Sequence, residues 1–313
     1  MRVLATLPQL PENTDYALTI GTFDGVHRGH ALLLETLKYE ARKRGLPTAA
    51  LTFQDMPYCY FRPDDCPRLL SLPDEKRDAF SDFNLDALYL VPFDEQLAGQ
   101  SAQEFAMRVL AEKLRAKLLV LGPDFALGKN RGGDVSMLTK LGKTHGFEVV
   151  VLDKKLRDDG DISSTRIREC VESGHLRTAA RLLGGAFSLS GEVVSGQQLG
   201  RTIGVPTINI LPHARKVLPQ SGVYAARAFF DDDASTRSNA KNVALNIGWR
   251  PTVGGVNLSV EFHVIGENVV VPPRLVTLKI IERLRGEERF PTLDDLVSQM
   301  KRDIARAAEI LGA

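Results

Sequence analysis

Residues 21–30 read Gly-Thr-Phe-Asp-Gly-Val-His-Arg-Gly-His and stand between two segments of different period. Before them, 17–20 is a short apolar run of the kind that forms a buried strand. After them, Leu33, Leu34, Leu37 and Ala41 recur at helical spacing. The stretch is therefore a turn from a strand into a helix, the opening of a βα unit. Gly21, Gly25 and Gly29 allow backbone shapes and close approaches that a Cβ would obstruct. The helix is expected to begin near His30, its free N–H groups and positive dipole end facing the turn, which makes a ready site for a phosphate. His27 and His30 are spaced so that both rings can lean toward one anion, and such donors suit the charge that develops in phosphoryl or nucleotidyl transfer. Phe23 and Asp24 lie within the same turn. A lone histidine or a lone glycine turn is usually structural; here both kinds of residue coincide where a phosphate site needs them.

The alternation recurs through the first half. Residues 48–53 read as a strand, and 54–70, with Pro57, Pro63 and Pro67, as a long loop. Ser71 with Asp74 marks a helix to about 83, 87–91 is strand-like, and Ser101 with Glu104 forms a capping box for a helix reaching 114. Strands over 117–121 and 147–152, and helices over 135–145, 165–170 and 176–183, complete the series. Repeated β-α alternation implies a parallel sheet with helices on both faces, and ligands of such sheets bind beyond the carboxyl ends of the strands. Beyond 185 the texture changes to short β runs at 187–194, 222–230, 242–247, 258–264 and 275–281, separated by Gly, Pro and Asn/Asp clusters. That spacing predicts a small antiparallel barrel. Thr292 caps a last helix whose stripe, Leu293, Leu296, Val297, Met300, Ile304, Ala308 and Leu311, is expected to be core packing.

A chain of 313 residues fits two domains. Its net charge of +1 argues against a non-specific nucleic-acid binder or a polybasic membrane contact. No leader pattern and no apolar run of membrane length is visible, which leaves the cytoplasm by elimination. Cys59, Cys66 and Cys170 make neither a disulfide framework nor zinc-ligand spacing, and a reducing compartment is expected.

Three further segments carry candidate chemistry. Residues 122–134 form a second glycine-rich loop that fails as a Walker A motif, because Asn130 stands where a magnesium-binding hydroxyl belongs. It is either a nucleotide loop, with Asp124 accepting from base or ribose and Arg131 meeting a phosphate, or a plain surface turn. Residues 162–168, Ile-Ser-Ser-Thr-Arg-Ile-Arg, open a helix. Ser164, Thr165 and Arg166 there are either an ordinary cap or an anion clamp. In 200–209, Gly-Arg-Thr-Ile-Gly-Val-Pro-Thr-Ile-Asn, Thr207 and Asn209 project from one face of an extended segment. Neutral oxygen ligands of this kind can hold a magnesium ion that keeps its waters and the substrate phosphates. Glu261 shares a strand face with Ser259 and His263, and can take a proton from an attacking hydroxyl.

Taken in order, these motifs resemble the bifunctional prokaryotic riboflavin kinase/FMN adenylyltransferase family, also called FAD synthetase. The resemblance also rests on Gly222-Val-Tyr224, Asn246-Ile-Gly248 and Arg250-Pro-Thr252. It implies a Rossmann-like nucleotidyltransferase domain over 1–184 and a kinase barrel with a terminal helix over 185–313. By the match, the first would transfer AMP from ATP to FMN, using Gly21, Phe23, Asp24, Gly25, His27, His30, Asp124, Arg131, Ser164, Thr165 and Arg166. The second would phosphorylate riboflavin from ATP, with Glu261 as base and magnesium on Thr207 and Asn209. Gly200, Arg201, Gly204, Pro206, Asn246 and Arg250 would line its nucleotide and flavin site. The partners implied are small molecules, without nucleic acid or membrane, in a possible homo-oligomer. Two other readings are a chain keeping only one activity and a flavin- or nucleotide-binding regulator without turnover; a base at Glu261 argues against the second.

Overall fold

The computed structural model describes residues 1–9, 11–128, 132–153, 162–196, 203–230, 240–252 and 255–312, with the backbone alone at 250–252 and 255–257. The chain divides into two compact units, Met1–Ser164 and Thr165–Ala313.

The first unit runs β1 (Arg2–Leu4), β2 (Tyr16–Ile20), α1 (Arg28–Arg44), β3 (Thr48–Phe53), α2 (Pro57–Phe61), α3 (Pro73–Ser81), β4 (Ala87–Val91), α4 (Glu95–Ala98) and α5 (Ala102–Phe105), which continues as a π-helical stretch over Ala106–Lys113. Then follow β5 (Ala116–Leu121), the short hairpin strands β6 (Ala126–Leu127) and β7 (Gly133–Asp134), α6 (Val135–His145) and β8 (Glu148–Val151). Six strands form one parallel sheet in the order β1-β4-β3-β2-β5-β8. Alternate residues of each strand feed opposite cores. Leu18, Leu51, Tyr89 and Leu119 pack with Phe105, Val109 and Leu138 on one face. Ala17, Ala50, Leu88 and Leu118 pack with Leu34, Leu37 and Phe80 on the other. Burial on both faces is why these strands read as continuous apolar runs.

The second unit begins with α7 (Ser164–Glu172), whose first residue closes the first unit, and α8 (Leu176–Leu183). Then come β9 (Phe187–Val194), β10 (Ile208–Pro212), β11 (Gly222–Phe230), β12 (Lys241–Thr252), β13 (Gly255–Val264), β14 (Leu275–Arg285) and α9 (Leu293–Leu311). The six strands close a barrel in the order β10-β13-β12-β11-β14-β9. The second compact unit takes in α8 because this helix packs on β9 and β14.

Four local expectations are corrected. The segment expected as a loop over 54–70 contains α2, since Pro57 occupies a first helical position, where it is favoured. Helix α3 is capped one residue later than Ser71: the Glu75 carboxylate accepts from the Leu72 N–H at 2.9 Å, which frees Ser71 for the neighbouring turn. Helix α1 starts at Arg28 with His27 as its cap, ahead of His30. Cys59 and Cys66, expected unpaired, are joined in a disulfide, because α2 and the turn behind it bring their Cα atoms to 4.7 Å.

Candidate active sites

The sheet order supplies the first clue. From β2 the chain steps outward through β3, whereas β5 and β8 extend the other way, so the order reverses between β2 and β5. Ligands of open parallel sheets bind at that switch point, beyond the strands' carboxyl ends. The turn after β2 carries His27 and His30, and the turn after β5 carries Asp124.

The first turn is held in an uncommon backbone shape: Phe23 and Val26 have φ of 46° and 40°, and Gly25 of 89°. A β-branched residue at positive φ is a true outlier, and such strain persists only where surrounding contacts over-determine it. Those contacts are present. The buried Asp24 carboxylate accepts from the N–H groups of Leu70 at 3.1 Å and Ser71 at 3.0 Å. The Ser71 hydroxyl accepts from the Gly25 N–H at 2.9 Å, and Ser164 donates to the Asp24 carbonyl at 2.8 Å. Asp24 and Ser164, read from sequence as facing a nucleotide, thus tie the turn to its surroundings. His27 Nδ1 accepts from the His30 N–H at 3.3 Å, and the two imidazoles stack with centroids 3.7 Å apart. Gly29 permits this, since a Cβ there would lie 3.2 Å from the His27 ring. Phe23 packs between His30 and Phe80 of α3.

Sequence reasoning missed two contributors. Lys76 of α3 is buried and donates to the carbonyls of Thr22 at 2.9 Å and Phe53 at 2.7 Å. Burial pushes its pKa down to about 8, against the opposing pull of Asp24 and Asp55. The second is a ring cluster beyond β3 and β4. Tyr60 and Phe61 meet Phe93 edge-on, and Tyr58, Tyr60 and Phe61 are 47, 45 and 52% exposed. Asp124 is exposed in its turn, Thr165 and Arg166 are exposed in the first turn of α7, and Arg131 lies outside the described residues.

The second site is on the barrel. Glu261 of β13 is paired in register with Asn209 on β10 and Asn246 on β12, so the three share a sheet face across adjacent strands. The Thr207 hydroxyl lies 3.4 Å from a Glu261 carboxylate oxygen, and His263 Nδ1 is 2.8 Å from the Pro206 carbonyl oxygen. Gly196 gives the Asn209 amide its room: a Cβ there would sit 2.2 Å from Asn209 Nδ2. Two cavities meet at Thr207. One, of about 800 Å³, is bordered by Ser195, Gly196, Pro206, Asn209 and the 267–270 segment. The other, of about 270 Å³, is bordered by Asn246, Glu261, His263 and, from α9, Leu296, Met300 and Ile304. The α9 stripe is therefore not all core: those three are half-buried, Leu293 is exposed, and the buried positions are Asp303, Ala307 and Leu311. Asp303 faces inward because it pairs with Arg285, whose Nε and terminal nitrogen donate to it at 3.1 and 2.7 Å. Gly204 adopts φ of +76° in the turn before Pro206. Gly200 and Arg201 lie outside the described residues, and Arg250 is described by its backbone alone.

Family models match both units: an FAD synthetase model over residues 9–166 and a riboflavin kinase model over 183–311. The bifunctional riboflavin kinase/FMN adenylyltransferase of Escherichia coli strain K12 is 37% identical over 312 residues, covering 100% of this chain and 97% of that protein. The chain belongs to the bifunctional riboflavin kinase/FMN adenylyltransferase family. A Haemophilus influenzae member is 35% identical, covering 93% of this chain and 92% of its own. A crystal structure described as a macrolide-efflux protein from Streptococcus pneumoniae superposes with a TM-score of 0.85 at 27% identity, over 98% of this chain and 99% of that one. No helix among the described residues is long and apolar enough to cross a membrane. Within the chain, the FAD synthetase match covers the switch-point turn and the riboflavin kinase match covers the barrel cavities.

Proposed function

We infer that the barrel phosphorylates riboflavin from ATP and that the parallel-sheet unit then adenylylates the resulting FMN to FAD, releasing pyrophosphate. The observation that carries the kinase half is the meeting of two unequal cavities at Thr207, with Glu261 on the smaller one. The larger is roomy enough for a nucleotide. The smaller has apolar walls from α9 for a flavin ring, and its carboxylate can accept the proton of the attacking hydroxyl. Thr207 and Asn209 would hold a magnesium ion between them. Hard, neutral oxygen donors fit an ion that keeps most of its waters and binds phosphate, and no cluster of three or more His, Cys, Asp or Glu suited to another metal occurs among the described residues. Such an ion would neutralise charge on the phosphates.

In the parallel-sheet unit, the stacked histidines and the start of α1 meet the ATP phosphates, and Asp124, from the neighbouring strand end, holds the nucleoside. The exposed rings of α2 offer faces on which a flavin stacks. Neither reaction asks for a covalent intermediate; both rest on in-line positioning and charge neutralisation. ATP as donor in both steps goes with a cytoplasmic setting.

The test is direct. With riboflavin, ATP and magnesium, FMN appears first and FAD follows, as resolved by chromatography. Thr207→Ala and Asn209→Ala raise the magnesium concentration needed for half-maximal FMN formation. Unchanged riboflavin, or FMN formation indifferent to magnesium in both variants, contradicts the reading.

A further inference from the structure

Helix α3 packs one of its faces against the histidine turn. Lys76 and Phe80 lie one turn apart on it. Phe80 meets Phe23 edge-on at 5.1 Å, and Phe23 in turn lies 4.9 Å from the His30 ring. Lys76 reaches the ends of two adjacent strands at once, through Thr22 after β2 and Phe53 of β3. Thr52 adds a hydroxyl to the same Thr22 carbonyl at 3.1 Å. The residues just ahead of α3, Leu70 and Ser71, grip Asp24 in the reverse direction. A buried ammonium is costly, and an apolar side chain would fill this space at no such cost. A cation is retained beneath a turn whose ligand carries several negative charges.

We propose that Lys76 is a positioning residue for adenylyl transfer, clamping the ends of β2 and β3 so that the His27–His30 pair is presented to the triphosphate, and supplying positive charge beneath that anion. The proposal rests on the adenylyltransferase reading. The charged groups acting on Lys76 are Asp24 on the turn and Asp55 beyond β3; Glu75 on its own helix is turned to the Leu72 N–H. Lys76 in the free chain loses its proton near pH 8, and a bound triphosphate raises that value. kcat/KM for ATP in FAD formation therefore falls as pH rises through about 8, while kcat holds to higher pH.

The test follows FAD formation from added FMN between pH 6.5 and 9.5 in the wild type, Lys76→Met and Lys76→Arg, with riboflavin phosphorylation by the same preparations as the internal reference. In Lys76→Met, kcat/KM for ATP drops about tenfold to a hundredfold, riboflavin phosphorylation is unchanged, and the alkaline decline is gone. Lys76→Arg recovers part of the rate and shows no decline near pH 8, because a guanidinium does not titrate there. Lys76→Met activity within threefold of wild type overturns the proposal, and so does a wild-type alkaline decline that persists unchanged in Lys76→Arg. A wild-type chain forming no FAD overturns the adenylyltransferase reading with it.

Discussion

Glu261 stands between two side-chain amides across neighbouring strands, with a threonine hydroxyl beside it. With its carboxylate proposed as the proton acceptor, Glu261→Gln is expected to slow FMN formation by about a hundredfold or more while leaving the barrel folded. Lys76 supports a stability prediction of definite sign. Its folded pKa of about 8 lies below the ordinary 10.5, so between those values the unfolded chain holds a proton that the folded chain has released. Stability then rises with pH, by up to about 3 kcal/mol from pH 8 to 10.5. The difference between urea midpoints of the wild type and Lys76→Met should show this rise and nothing comparable below pH 8. The residue was legible in part: Leu72, Lys76, Ala79, Phe80 and Phe83 share one helical face, and a lysine on an apolar face is a signal. What the spacing could not reveal is which carbonyls it reaches, because Thr22 and Phe53 are brought to it by the sheet. The roles of Asp24 and Ser164 were hidden for the same reason: their partners are distant in the chain.

At the scale of elements, the long runs were readable and the short ones were not. Strands β2 to β5 are buried on both faces and show as apolar blocks. Three-residue β1 begins with an arginine, and α2 is a single turn among prolines; neither is long enough to establish a period. Helix α9 had the right bounds but the wrong assignment of its stripe, because periodicity does not distinguish a core from a cavity wall. Its inward Asp303 makes a sharp prediction. Arg285→Ala strands a buried carboxylate and should cost about 3 kcal/mol or more by urea titration, whereas replacing both partners with leucine costs much less. The loop between α2 and α3 makes another. Thiol titration of the denatured, unreduced chain should find only Cys170 reactive, and all three cysteines after reduction; three reactive thiols before reduction would remove the disulfide from the account.

For the molecule as a whole, each compact unit has its own hydrophobic packing and its own candidate site. The turn at the β2–β5 switch point belongs to one unit, and the Thr207–Asn209–Glu261 group to the other. This division was visible in the change from β-α alternation to short β runs, and the two family matches, over 9–166 and 183–311, follow it. The measurement that bears most directly on it starts His30→Ala and Glu261→Ala from riboflavin and, separately, from FMN, with ATP and magnesium. His30→Ala should convert riboflavin to FMN and stop there. Glu261→Ala should leave riboflavin untouched yet still turn added FMN into FAD. Loss of both products in each variant, or a swap of the two phenotypes, would contradict one reaction per unit.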